Sequence, residues 1–347
     1  MGLIVGIPRA LFFYQYYPLW KTFLEELGAE VVVSGNTNKK IMDDGVGKCV
    51  DEACLPVKVY HGHVMDLKDR VDCLFIPRHT SISRNEYVCP KFGGLPDMVR
   101  NTLTGLPPII DVEVNLRKSR ANAMKAAMEA GSFFTGDAGK IKIAYRKAMA
   151  AYKNYRVKIK RGAFPGEVPG CLGKGPGTGG TADYDAGSNH LKIAVIGHSY
   201  NLYDDYVNMG IVLKLRKSGV NIITIDMIDD DVIREKSNLL NKKPFWYFGT
   251  RALGSIYHLL GMDDLDGIIY IMSFGCGIDS FICDLAERKT RREKNIPYMV
   301  LTIDEHSGEA GINTRLEAFT DMIRWRYCNE SDFSTYGKPV YKCQGPI

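Results

Sequence analysis

The sequence has no C-x-x-C pair, although it carries nine cysteines in 347 residues. That excludes the thioredoxin-type redox motif and the usual paired-cysteine zinc sites, so any metal site must be assembled by the fold from distant positions. Long hydrophobic runs are also lacking. L-I-V-G-I, C-L-F-I-P and G-I-I-Y-I-M are strand-length and end in charged or turn residues, so no membrane span is expected. The N-terminus has no basic region followed by an apolar one, which gives no reason to expect a secretory signal, and M-G-L-I-V-G lacks the Ser or Thr of a myristoylation signal. A cytoplasmic setting is therefore expected. In such a reducing compartment the cysteines are core residues, metal ligands or reactive thiols rather than a disulfide framework. A strong charge of either sign is missing too: 45 Lys plus Arg against 40 Asp plus Glu gives +5. That is too mild for nucleic-acid binding but suits an acidic small molecule. Finally, C-L-G-K-G-P-G-T-G-G-T lacks phosphate-loop spacing, and Pro176 removes an N–H donor where a phosphate cradle would need one.

What is present reads as α/β. Leu3 to Pro8 is an apolar strand, the segment through F-L-E-E-L-G has helical apolar spacing with a stop at Gly28, and Ala29 to Ser34 is a second strand. A loop follows up to Cys54, then V-K-V-Y-H-G-H-V-M-D-L continues as a helix. Val71 to Pro77 is another strand, a long loop leads through Cys89, and Ile109 begins a short fourth strand. From Asn115 to about Ile159 the pattern is a long helical run, in which Lys140 to Arg161 carries many basic residues and no acidic one. This is read as a solvated face or a strut between domains, or else as a docking surface for an acidic partner or a CoA phosphate. Phe164 to Asn189 is a Gly- and Pro-rich linker. The second half then repeats the β-α-β order: K-I-A-V-I-G, a helix around Asp205 to Ser218, N-I-I-T-I-D, G-I-I-Y-I-M and Y-M-V-L-T-I-D. The expected architecture is two tandem Rossmann-like, doubly wound parallel-sheet domains joined by a helical, Gly-rich connection. The boundaries are 1–114, 115–189 and 190–327, with a tail at 328–347.

Three cysteines stand out: Cys54 in E-A-C-L-P-V-K, Cys89 in Y-V-C-P-K-F and Cys276 in S-F-G-C-G-I-D. Each follows a stretch that reads as a strand, and each has Pro or Gly close by. In an open parallel sheet such loops gather at one edge, where ligands bind. Three thiolates meeting there suit an iron–sulfur cluster with one iron left open, and strand-exit loops equally host nucleophilic thiols. Gly275 and Gly277 would let main-chain N–H groups approach cluster sulfides. Cys73 reads as core, while Cys171, Cys328 and Cys343 have no neighbourhood that prescribes a ligand. Cys49 and Cys283 are either extra ligands or packing residues. Lys58, His61 and His63 follow Cys54 on a helix, as an exposed polar face or as substrate-orienting groups. His79, Thr80, Ser81 and Ser83 fill the loop before Cys89. Asp304, Glu305, His306, Ser307 and Glu309 offer acid–base chemistry or a helix cap.

The motifs G-I-P-R-A-L, F-L-E-E-L-G-A-E-V-V-V-S, E-A-C-L-P-V-K-V-Y-H-G-H-V, F-I-P-R, C-P-K-F-G-G-L-P, S-F-G-C-G and D-E-H-S-G-E-A-G-I-N-T-R-L-E-A-F together resemble a known family. It is the domain found beside or fused to 2-hydroxyacyl-CoA dehydratase activases, within the 2-hydroxyacyl-CoA dehydratase and double-cubane cluster superfamily. The likeness covers nearly all but the basic helix, the linker and the tail. It implies an oxygen-sensitive [4Fe–4S]-type cluster held in the interdomain cleft by Cys54, Cys89 and Cys276. The dehydratases of this group use such a cluster to pass one low-potential electron to an acyl-CoA thioester, and a non-catalytic electron-transfer or accessory role is the alternative. A double-cubane [8Fe–9S] group would need six ligands, with Cys49, Cys283 and one further cysteine joining, and no spacing demands them. The resemblance also implies an ATP-dependent activase as partner. Its phosphate-binding signature is absent from this chain, so ATP-driven reduction would come from another polypeptide. The true dehydratases are heterodimers, so a homo- or heterodimer is open.

Overall fold

The computed structural model describes residues 2–170, 191–240, 242 and 244–327. Continuous apolar runs such as Ile4–Ile7 form strands buried on both faces, as parallel sheets covered by helices require. The first half runs β1 (Ile4–Ile7), α1 (Phe13–Glu26), β2 (Glu30–Val33), α2 (Lys39–Lys48), α3 (Leu55–Leu67) and β3 (Cys73–Phe75). It continues with β4 (Arg78–Ser81), α4 (Pro90–Gly93), α5 (Leu95–Thr102), β5 (Ile109–Ile110) and β6 (Glu113–Asn115). Two connecting helices follow, α6 (Asn122–Gly131) and α7 (Ala138–Lys160). The second half opens with β7 (Lys192–Gly197), α8 (Ser199–Tyr203), α9 (Ile211–Lys217), β8 (Asn221–Thr224) and α10 (Asp230–Ser237). It closes with α11 (Tyr247–Leu259), β9 (Gly267–Ser273), α12 (Gly277–Glu293), β10 (Tyr298–Ile303) and α13 (Glu309–Trp325).

The main sheets are all parallel, ordered β2-β1-β3-β5 and β10-β9-β7-β8. Counted from its own first strand, each reads 2-1-3-4, so the two halves repeat one Rossmann-like topology. β4 and β6 form a separate parallel pair. The halves share a hydrophobic cluster in which Phe12, Leu55, Val59 and Phe92 join Ile196, Phe248 and Tyr270. Full burial of each such side chain stabilises by roughly 1.5–3 kcal/mol relative to exposure.

Four local expectations are corrected. The segment before Cys54 is helix α2 rather than loop. The Asn38 side chain accepts from the Ile41 N–H at 3.1 Å, and Lys39–Asp43 and Lys40–Asp44 pair one turn apart. The long helical run is two helices, because Asp137 caps α7 by accepting from Gly139 and Lys140. Arg78–Ser81 is a strand rather than loop. The helix near Asp205 starts only at Ile211, after a left-handed turn at Met209 and Gly210.

The basic helix α7 is a strut. Lys147 pairs with Glu26 at 2.7 Å in the first half, while Arg156 reaches Asp230 at 3.3 Å and Lys160 reaches Asp229 at 2.8 Å in the second. The Gly-rich linker falls largely on 171–190 and the tail on 328–347. Both lie outside the described residues, as do Cys171, Cys328 and Cys343.

Candidate functional site

Cys54, Cys89 and Cys276 each occupy the residue before the first turn of a helix, at the starts of α3, α4 and α12 respectively. The local sequence explains why. Pro90 holds the preceding Cys89 extended and then opens a helix, and Pro56 sits in the first turn of α3. Gly275, with φ +77, makes the tight turn between β9 and Cys276. A Cβ on Gly275 would stand 3.4 Å from Cys54 Cα, so this second-half turn lies directly against the first-half cysteine. The spatial gathering expected for the three cysteines is present, but Cys54 arrives from the α2–α3 turn rather than from a strand exit.

All three thiols are partly buried. Burial pushes Cys54 up to about 11 and raises Cys89, with Cys276 adding to both. Cys89 also adds to the rise at Cys54, so each is within electrostatic reach of the others. Opposing these effects, the Val57 N–H points at the Cys54 sulfur, the Lys91 N–H at the Cys89 sulfur, and the Lys91 ammonium acts on both. Such oriented N–H groups at helix starts favour an anion.

A second group completes the site. His198, buried at the end of β7, places Nε2 3.0 Å from Asp279 Oδ2. The Tyr270 hydroxyl donates to Asp279 Oδ1 at 3.0 Å. Burial disfavours charge on His198, but Asp279 and a hydrogen bond with Cys276 outweigh it and push the ring up to about 10. The imidazole stacks on Tyr200 at 4.9 Å and meets the Phe248 ring at 4.4 Å. One ligand-capable atom each from His198, Cys276 and Asp279 falls within 4.8 Å of the others. Sequence reasoning missed His198 and Asp279. Two signals were readable: I-G-H-S is itself a strand exit, and Asp279 lies one helical turn after Cys276.

Other candidates are placed elsewhere. α3 is buried nearly all round, so the expected exposed face fails. His61 donates from Nδ1 to the Val57 carbonyl at 2.7 Å, and His63 lies 2.9 Å from both the Ser34 and Thr37 hydroxyls. Lys58 Nζ is 2.5 Å from Glu305 Oε1, tying the halves together next to Cys54. Burial works to raise Glu305, but the Lys58 hydrogen bond outweighs it and the carboxyl is held low. Asp304 accepts from the His306 N–H at 2.8 Å and the Ser307 hydroxyl at 2.9 Å, forming a turn, while Glu309 pairs with Lys214 at 2.7 Å. His79 is buried in β4, the Thr80 hydroxyl donates to Glu113, and that of Ser81 donates to the Ser83 and Glu86 carbonyls. Cys49 packs in a small cluster with Ala53 and Val57 beside Cys54, Cys73 is core, and Cys283 Sγ lies 3.8 Å from the Tyr298 hydroxyl.

Residues 4–228 match a family model described as the CoA enzyme activase uncharacterised domain. No curated protein matches the chain. Among solved structures, a sugar transporter from Clostridium phytofermentans aligns over 87% of this chain and 81% of that one. Its identity is 9% and its TM-score 0.19, too low to carry an argument.

Proposed function

The chain belongs to the CoA enzyme activase uncharacterised domain family, and from that premise we propose that it is an iron–sulfur protein holding a [4Fe–4S] cluster through Cys54, Cys89 and Cys276. The observation that supports this most is the gathering of three helix-start cysteines, from both halves, against the Gly275 turn. The donor set fits the group. Three thiols leave one iron without a protein thiolate, and the Val57 and Lys91 N–H groups point at two of the sulfurs. When bound, such a cluster supplies low-potential one-electron chemistry. The chain's own residues provide the setting. Lys91 and the His198 cation offset negative charge at the thiolates, and Asp279, anchored by Tyr270, fixes the His198 ring. Phe274 and Phe281, 65% and 63% exposed around the Cys276 turn, offer an apolar rim for a partner. That partner is an ATP-dependent activase on another polypeptide, and the substrate class is an acyl-CoA. A non-catalytic electron carrier for an activase–dehydratase system is the second reading, favoured because the α3 groups near Cys54 are already engaged, Lys58 by Glu305 and His61 by the Val57 carbonyl.

Anaerobic purification should yield about four irons and four sulfides per chain. Cys276→Ala should lose most of that iron, while Cys283→Ala should keep it. Zinc without acid-labile sulfide, as the His198–Cys276–Asp279 group alone would hold, overturns the cluster reading, and so does full iron content in Cys276→Ala. EPR of the reduced protein separates the two roles: acyl-CoA perturbs the signal of an enzyme and leaves that of a carrier unchanged.

A further inference from the structure

Between the halves lies a concavity of about 460 Å³ that no cysteine among the described residues lines. Small-molecule sites occupy roughly 300–1,000 Å³. Its walls are largely apolar, with Tyr16 and Trp20 from α1, Phe75 from β3, Ala123 and Ala126 from α6, and Tyr152 from α7. The buried arginines of its interior are already paired, and Glu86, 8% exposed, is a further carboxylate of the lining. Arg251 pairs with Asp226 at 3.1 Å and Asp230 at 2.5 Å, and Arg156 pairs with Asp230 at 3.3 Å. His79 also lines the cavity, its ring 4.6 Å from that of Phe12 and 5.9 Å from that of Trp20, and burial keeps it neutral at physiological pH. Such an interior rejects an unpaired charge and accepts apolar surface. The rim differs. Arg84 and Arg120 line the cavity, are exposed, and have no carboxylate partner among the described residues.

We infer that this cavity binds an apolar monocarboxylate of medium chain length, with its tail among Trp20, Phe75, Ala126 and Tyr152 and its carboxylate at Arg84 and Arg120. The inference stands apart from the cluster reading, because the lining contains none of the proposed ligands. Aromatic contacts nonetheless bring the two sites close. His79 packs on Phe12, Phe12 on Phe248 at 5.7 Å, and Phe248 on His198.

Calorimetric titration of the full chain with sodium octanoate, and with octan-1-ol as the uncharged comparison, tests this. Octanoate should bind saturably and more tightly than octanol. The surface variant Arg84→Gln/Arg120→Gln should weaken octanoate by on the order of fivefold to tenfold while leaving octanol unchanged, as expected for two rim-exposed ion pairs. Ala123→Phe, which projects a ring into the empty space, should weaken both. No saturable binding overturns the inference. So does octanoate affinity that is indifferent to the arginines, or binding of both ligands at parent strength in Ala123→Phe.

Discussion

His63 and His79 are buried imidazoles, both pushed down to about 3, chiefly by desolvation. In the unfolded chain each takes up a proton near 6.5. Between those limits the unfolded state binds more protons than the folded one, so the stability from burying the neutral rings is fully present above about 6.5. It is lost as pH falls toward 3. The urea midpoint should therefore drop on acidification from pH 7 to 5, each ring contributing up to about 1.4 kcal/mol per pH unit below 6.5. His79→Phe keeps a ring against Phe12 and Trp20 and removes one titrating group. Its acid slope should be visibly shallower than the parent's, and an unchanged slope would show that His79 is not the group responsible. The positions of these residues explain what could be read beforehand. The cysteine motifs were legible because Pro or Gly stands close to each one. The roles of His61 and His63 were not, because a helix buried on every side has no apolar stripe to mark its facing.

At the level of elements, α2 and α3 cross at glycines. A Cβ on Gly45 would run into the Lys58 carbonyl, and one on Gly62 into the Ile41 carbonyl. This close approach hid α2 from sequence reading, since Gly45 and Gly47 weaken a helical pattern. It also fixes the axis of α3, whose first residue follows Cys54. Gly62→Ala should force the helices apart, destabilise the protein by about 1–3 kcal/mol as overpacking does, and shift the α3 start. Differential scanning calorimetry reads the first effect, and the iron content of anaerobically prepared protein reads the second. A fall in Tm with iron retained would separate the helix packing from the cysteine site, whereas no fall in Tm would mean the helices do not meet this tightly. The sheets, by contrast, were legible as strand-length apolar runs, and their repeated order followed from alternating strands and helices. β4 and β6 escaped, because R-H-T-S has no apolar alternation and E-V-N is too short to show one.

The whole molecule is joined across its halves by more than apolar packing. Tyr14 and Thr37 donate to Asp204 at 3.2 and 2.5 Å, and Gln15 Nε2 donates to the Ser199 hydroxyl at 3.1 Å. Lys58 reaches Glu305, and α7 carries Arg156 and Lys160 to the acidic start of α10. With a shared core as well, neither half can open without exposing the other's buried surface, so thermal unfolding should be one cooperative transition. Trp20 in the first half and Trp246 in the second would then report the same midpoint. Arg251 is the point at which to test this, because it is buried against both Asp226 and Asp230. Arg251→Met leaves Asp226, 2% exposed, with Arg156 at 3.8 Å as its remaining cation among the described residues. Removing one partner from such a buried pair costs about 3–5 kcal/mol. If the halves are energetically one body, that loss lowers a single transition, and calorimetric and van't Hoff enthalpies stay equal. Were they separate, the second half alone would melt early, and two transitions would appear with the Trp20 midpoint unmoved.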